Sequence, residues 1–160
     1  MMTKEQVIKV LKNVNSPEAE EIFNKADQIR EKFFKDEVHL RAIIEISNYC
    51  VKDCLYCGLN RENKKLKRYR MEREEILKAV EKASNFGFKT IVIQSGEDPY
   101  ISSEFIGEII AKIKEKFDVA VTLSLGERKF EDFLKWKEIG ADRYLLKFET
   151  SDLNLYQKSH

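Results

Sequence analysis

Apolar residues recur along this chain with two different periods, and the change from one to the other falls near residue 38. Before it the spacing is helical. Thr3 with Gln6 forms a capping-box start, followed by Val7, Val10 and Leu11 at three- and four-residue intervals. Ser16-Pro17 supplies a second start, an N-cap with proline at the first helical position. Behind it Ala19, Ile22, Phe23, Ala26, Ile29, Phe33 and Phe34 make an amphipathic stripe to about Lys35. The pattern predicts a two-helix extension over residues 1–37.

From Val38 short apolar runs alternate with amphipathic stretches. Val38 to Ile46 reads as a strand around Ala42-Ile43-Ile44. A polar, basic loop from Asn60 to Arg70 leads to a helix over about Glu72 to Phe86, with Gly87 as its stop. Thr90 to Gln94 is a short buried strand and Ser103 to Phe117 a helix. Val119 to Ser124 is a third strand, Lys129 to Ile139 a helix closed by Gly140, and Arg143 to Phe148 a last strand. The order β-α-β-α-β-α-β argues an α/β fold with a parallel sheet and right-handed crossovers. Either a doubly wound open sheet or part of a (β/α) barrel satisfies it. No G-x-G-x-x-G follows the first strand, which removes the usual dinucleotide-binding case.

Composition narrows the class. In 160 residues, 29 Lys and Arg stand against 28 Asp and Glu, so a net charge of +1 gives no general attraction to nucleic acid or anionic membrane. No apolar run approaches the ~20 residues that span a bilayer, and the first residues lack a signal-peptide pattern. The expectation is a soluble, cytoplasmic, globular protein, with no membrane and no nucleic-acid partner.

The three cysteines all fall within eight residues, Cys50-Val51-Lys52-Asp53-Cys54-Leu55-Tyr56-Cys57. An odd number so closely spaced makes no disulfide framework. Cys-x3-Cys-x2-Cys after a strand brings three thiolates into one loop, where they can hold adjacent corners of an iron-sulfur cube. A zinc site needs four ligands, and only His39 and His160 are available besides. A ferredoxin-type cluster needs a fourth cysteine. One iron is therefore expected to lack a protein ligand and to take an exogenous chelator. The plainer reading, three packing cysteines, fits poorly with their polar neighbours Lys52, Asp53 and Tyr56.

Every expected strand ends in small or polar residues: Ser47-Asn48, Ser95-Gly96-Glu97-Asp98, Ser124-Leu125-Gly126-Glu127 and Glu149-Thr150. Loops at strand C-termini share one face in β/α folds, and that face binds ligands. Singly, each is an ordinary polar loop; together they mark a candidate site.

With Cys50-x3-Cys54-Leu55-Tyr56-Cys57 after the first strand of a β/α array, the chain resembles the radical S-adenosylmethionine (SAM) family. The resemblance implies a [4Fe-4S] cluster on Cys50, Cys54 and Cys57, with SAM chelating the fourth iron and being cleaved by one electron. It places Tyr56 near the adenine. It makes Ser95, Gly96 and Glu97, inside Gln94-Ser95-Gly96-Glu97-Asp98-Pro99-Tyr100, the counterpart of the family's Gly-Gly-Glu holder of the SAM ammonium, with Ser95 replacing the first glycine. It also places Glu149 at the ribose hydroxyls, and Thr122, Ser124 and Glu127 along the cavity. Further segments, among them Lys67-Arg68-Tyr69-Arg70-Met71, are similar to the [FeFe]-hydrogenase maturases of the family. The biotin synthase and methylornithine synthase branches match these loops less closely.

On that resemblance the fold is a partial (β/α) TIM-type barrel of about four parallel strands with an N-terminal helical extension. Residues 38–160 would be the N-terminal half of the barrel, cut from a longer protein. The implied partners are an electron donor such as flavodoxin or ferredoxin, other hydrogenase maturation proteins and a small-molecule or organometallic substrate. The basic loop Arg61 to Arg70 reads either as a solvated loop or as a docking patch for an acidic electron donor. A different radical SAM enzyme, or a non-enzymatic iron-sulfur module, are the competing functions.

Overall fold

The computed structural model describes residues 2–160, which divide into a unit ending at His39 and a larger one, Leu40–His160. The division lies two residues past the expected 37/38 boundary. In the first unit α1 (Lys4–Lys12) starts with a two-way cap: the Gln6 amide donates to Thr3 Oγ1 at 3.3 Å and the Thr3 amide to Gln6 Oε1 at 2.8 Å. In α2 (Pro17–Phe34) the Ala19 amide donates to Ser16 Oγ at 3.2 Å. A surface ion pair, Lys9 to Glu18 at 2.7 Å, joins the two helices.

The larger unit runs β1 (Ala42–Ser47), α3 (Arg73–Asn85), β2 (Thr90–Ser95), α4 (Ser103–Lys116), β3 (Ala120–Ser124), α5 (Phe130–Ile139), β4 (Arg143–Tyr144) and α6 (Leu153–Ser159). All strand pairs are parallel and the sheet order is β1-β2-β3-β4. Alternation along the strands sends Ile44, Ile46, Ile91, Ile93, Val121 and Leu123 to one face. There they form a single buried core with Ile76 and Val80 of α3, Ile106, Ile109, Ile110 and Ile113 of α4, and Trp136 of α5. Helices on one face and strands in sequential order are the arrangement of a barrel wall. A doubly wound sheet would carry helices on both faces, so this part of the choice is decided.

The last strand is shorter than its apolar pattern predicts. Only Arg143 and Tyr144 pair with β3, opposite Thr122 and Leu123, and one further bond joins the Leu145 amide to Leu123 O at 2.8 Å. Since β3 ends at Ser124, residues beyond Leu145 find no ladder partner on that side. The seven-residue α6 was not foreseen; Asp152 caps it through the Leu155 amide at 3.0 Å. No helix among the described residues is long and apolar enough to cross a membrane.

Candidate functional site

The other face of the sheet carries two rows of side chains. Register aligns Ile43, Val92, Thr122 and Arg143 in one row and Glu45, Gln94 and Ser124 in the next, nearer the strand C-termini. That end opens into a cavity of 810 Å³. Nine of the ten residues expected to hold cluster or cofactor line it: Cys50, Cys54, Cys57, Tyr56, Ser95, Gly96, Glu97, Ser124 and Glu149. Glu127 lines it as well. Thr122 does not. It sits one row deeper, buried, with its Oγ1 lacking a hydrogen-bond partner.

The cysteine loop has almost no regular structure, and long-range hydrogen bonds hold it. A register shift between Glu45 and Ser47 turns the chain out of β1. Buried Asn48 then imitates a strand partner. Its amide donates to Tyr69 O at 3.3 Å, its Oδ1 accepts from the Tyr69 amide at 2.7 Å, and its Nδ2 donates to Lys67 O at 2.9 Å. The Arg68 guanidinium donates to three carbonyls on both sides of the cysteines: Asn48, Leu59 at 2.9 Å and Asn60 at 2.6 Å. Arg68 is thus committed to the loop's own backbone, and the reading of the basic loop as a solvated or docking surface fails for it. Arg61 pairs with Asp53 at 2.7 Å, whereas Lys64, Lys65 and Lys67 remain exposed.

Cys50 meets the end of β2 closely. The Glu97 amide donates to Cys50 Sγ at 3.4 Å, the Val51 amide to Glu97 O at 3.0 Å, and the Gly96 amide to Ser47 O at 3.2 Å. A side chain on Gly96 would stand 2.1 Å from Tyr49 O and 2.9 Å from Cys50 Cβ. Only glycine allows this approach. Gly126, at φ +77°, turns the β3 loop so that its carbonyl accepts from Tyr144 Oη at 2.7 Å.

Charge in the cavity is mostly negative. Lys52 Nζ lies 3.3 Å from Glu127 and 3.6 Å from Glu97, and chiefly the hydrogen bond to Glu127 holds its ammonium above the ordinary value. Burial pushes the Cys54 thiol up, and the neighbouring thiols add to this. A bound metal would supply the positive charge that favours the thiolate against this burial. The donor set fits an iron-sulfur cluster. Three free thiols line one cavity, the number of protein ligands that a cluster with one open iron takes.

Two site features escaped the sequence. His160, weighed there only as a spare zinc ligand, lines the cavity; its Nε2 lies 2.5 Å from Tyr56 Oη and its ring stacks on Tyr156 at 4.1 Å between centroids. The Leu55 amide reaches Ser159 O at 2.9 Å, so the end of α6 rests on the cysteine loop. The second is Asp98, wholly buried behind Glu97. Its burial alone would raise the carboxyl, but hydrogen bonds from Arg70, Ser47 and the Tyr100 amide outweigh that and hold it below the ordinary value.

Comparison with known proteins agrees with this geometry. Residues 44–160 match the radical SAM superfamily. The chain is 59% identical over 139 residues to the [FeFe] hydrogenase maturase subunit HydE of Thermotoga maritima, covering 87% of this chain and 40% of that protein. It is 33% identical over 144 residues to 3-methylornithine synthase of Methanosarcina acetivorans, covering 88% and 41%. Its backbone superposes on the crystal structure of methylornithine synthase with a TM-score of 0.88 at 28% identity, over 99% of this chain and 48% of the other. The chain thus spans about 40% of the length of the curated relatives it matches.

Proposed function

Given that the chain belongs to the radical SAM superfamily, we propose that Cys50, Cys54 and Cys57 hold a [4Fe-4S] cluster and that the cavity beside them takes SAM for reductive cleavage. The observation that carries this is the shared cavity: the three cysteines line it together with Glu97 and Glu149. Held by Cys50, Cys54 and Cys57, the cluster would supply the one low-potential electron that reductive cleavage of the SAM sulfonium to methionine and a 5′-deoxyadenosyl radical needs.

The chain's own residues bind and orient. Glu97 accepts from the ammonium of SAM, taking over a carboxylate that Lys52 now approaches at 3.6 Å. Glu149 accepts from ribose hydroxyls, and Tyr56 packs against the adenine, its hydroxyl fixed by His160. Ser95, Gly96 and Ser124 shape the floor beside them.

The 59% identity to HydE favours a maturase that acts on a small or organometallic precursor of the [FeFe]-hydrogenase cofactor, working with other maturation proteins. Methylornithine synthase likeness supports a second reading, a radical SAM enzyme acting on an amino acid. Exposed Lys64, Lys65 and Lys67 beside the cysteine loop suit an acidic electron donor of the flavodoxin or ferredoxin kind.

The test is anaerobic reconstitution with iron and sulfide, reduction, addition of SAM and chromatography for 5′-deoxyadenosine. Wild-type protein should form it, and Cys54→Ala should lose both brown colour and iron. In the full-length protein, an intact cluster that yields no 5′-deoxyadenosine would leave a non-enzymatic iron-sulfur module as the function.

A further inference from the structure

Two segments singled out in the sequence, Lys67–Met71 and Gln94–Tyr100, meet in a contact between Arg70 and Asp98, neither of which lines the cavity. The Asp98 carboxylate, with no exposed surface, accepts from Ser47 Oγ at 2.6 Å, Arg70 Nε at 2.6 Å, Arg70 Nη2 at 3.0 Å and the Tyr100 amide at 3.1 Å. The guanidinium is itself sandwiched, 3.8 Å from the Tyr49 ring centroid and 4.8 Å from that of Tyr100. A buried carboxylate met by a two-point guanidinium fork and two further donors is fixed in direction as well as position.

Both arms of this clamp lead to Cys50. On one side Ser47 Oγ, while donating to Asp98, accepts from the Tyr49 amide at 3.1 Å, one residue before the cysteine. On the other side Glu97 directly precedes Asp98, and its amide donates to Cys50 Sγ. Hydrogen bonds to cluster-ligating sulfur withdraw electron density and raise the reduction potential. Resting on the reading of the cysteines as cluster ligands, we propose that Asp98 and Arg70 are a positioning pair that holds the Glu97 amide against the Cys50 sulfur and so sets the potential of the cluster.

Asp98→Asn keeps the volume but turns an amide donor toward the guanidinium; Arg70→Lys keeps the charge but loses the fork and the stacking. The experiment reconstitutes wild type and both variants anaerobically, counts iron per chain, and follows a redox titration by electron paramagnetic resonance without substrate. Both variants should retain the cluster with an altered resonance and a more negative midpoint, Asp98→Asn the more strongly. Variants that lose iron or melt earlier while the remaining cluster keeps the wild-type midpoint and spectrum would reduce the pair to a structural role and overturn the inference. If Asp98→Asn fails to fold, Arg70→Lys decides alone. A wild type that takes no cluster overturns the cluster reading, and this inference with it. A loaded wild type beside variants of unchanged midpoint overturns only this inference.

Discussion

Replacing Gly96 by alanine tests the close approach of the cysteine loop to the sheet. The new methyl group would lie 2.1 Å from Tyr49 O and 2.9 Å from both Tyr49 C and Cys50 Cβ. Carbon contacts settle near 3.5–4.0 Å, so the two backbones must part by roughly 1 Å or more. No flexible side chain can yield instead. Overpacking of this kind costs about 1–3 kcal/mol. Parting the segments also strains the Gly96 amide to Ser47 O and Val51 amide to Glu97 O bonds, each worth about 1 kcal/mol. Against this, removing a glycine whose backbone angles alanine can adopt gains about 0.4–1 kcal/mol through the unfolded chain. The net is roughly 2–4 kcal/mol, or a melting temperature lower by roughly 5–15 °C. Iron content after reconstitution should fall as well, because Cys50 moves with Tyr49. Gly58→Ala is the control: nothing lies within 4 Å of its added carbon, so its effect should stay within about 0.5 kcal/mol. The measurements are thermal melts and iron per chain. Gly96→Ala with wild-type melting and full iron, or Gly58→Ala as damaging as Gly96→Ala, would refute the packing argument.

Glu97→Gln should weaken SAM binding to the loaded protein roughly tenfold or more, since a charge-assisted bond of about 1.5–3 kcal/mol is lost; calorimetric titration reads it, and unchanged affinity would release Glu97 from the ammonium. Arg68→Ala strands three carbonyls around the cysteines and should cost about 2 kcal/mol or more together with iron retention, visible as an earlier melt. Asp142 accepts from the Val121 amide at 2.7 Å and Lys114 Nζ at 3.1 Å, and these bonds outweigh its burial to depress the carboxyl. A depressed carboxyl stabilises the fold above its unfolded value, and that contribution is lost as pH falls from the ordinary carboxylate range toward the lower folded value. Asp142→Asn should therefore flatten the acid limb of stability against pH below about 4, while Glu115→Gln, on an exposed surface pair, should leave it unchanged.

How much of this could be read from sequence depends on the range of the interaction that fixes each feature. Capping at Thr3 and Ser16 acts over three residues, and β1, β2 and β3 announce themselves by apolar runs, so these were legible. Cysteine spacing is equally local. The length of β4 was not, because it depends on where β3 stops rather than on Leu145, Leu146 and Phe148 themselves. Thr122 has the right parity for the cavity face but the wrong depth, and depth is set by sheet register. Arg68, Arg70 and Asp98 were hidden for a third reason. An arginine that serves three carbonyls or a buried carboxylate leaves no period, and within Arg61 to Arg70 it looks like every other cation. The nearest signal was a single acid, Asp98, between Glu97 and Pro99 at a strand end. His160 gave none, since its partner Tyr56 is 104 residues away.

The charge pattern explains why such hidden supports are needed. Four glutamates, Glu45, Glu97, Glu127 and Glu149, share the cavity with two lysines, Lys52 and Lys147, and with three thiols that become anionic when they ligate metal. Like charges gathered at one sheet end repel, and a loop without regular hydrogen bonding would relax away from them. Lys52, between Glu97 and Glu127, relieves part of that repulsion. The Arg68 staple and the Arg70–Asp98 clamp, none of whose three side chains lines the cavity, tie the loop independently of those charges. On the proposed reading an acidic wall suits a ligand carrying an ammonium and a sulfonium, and Lys52 is the cation such a ligand would displace from Glu97.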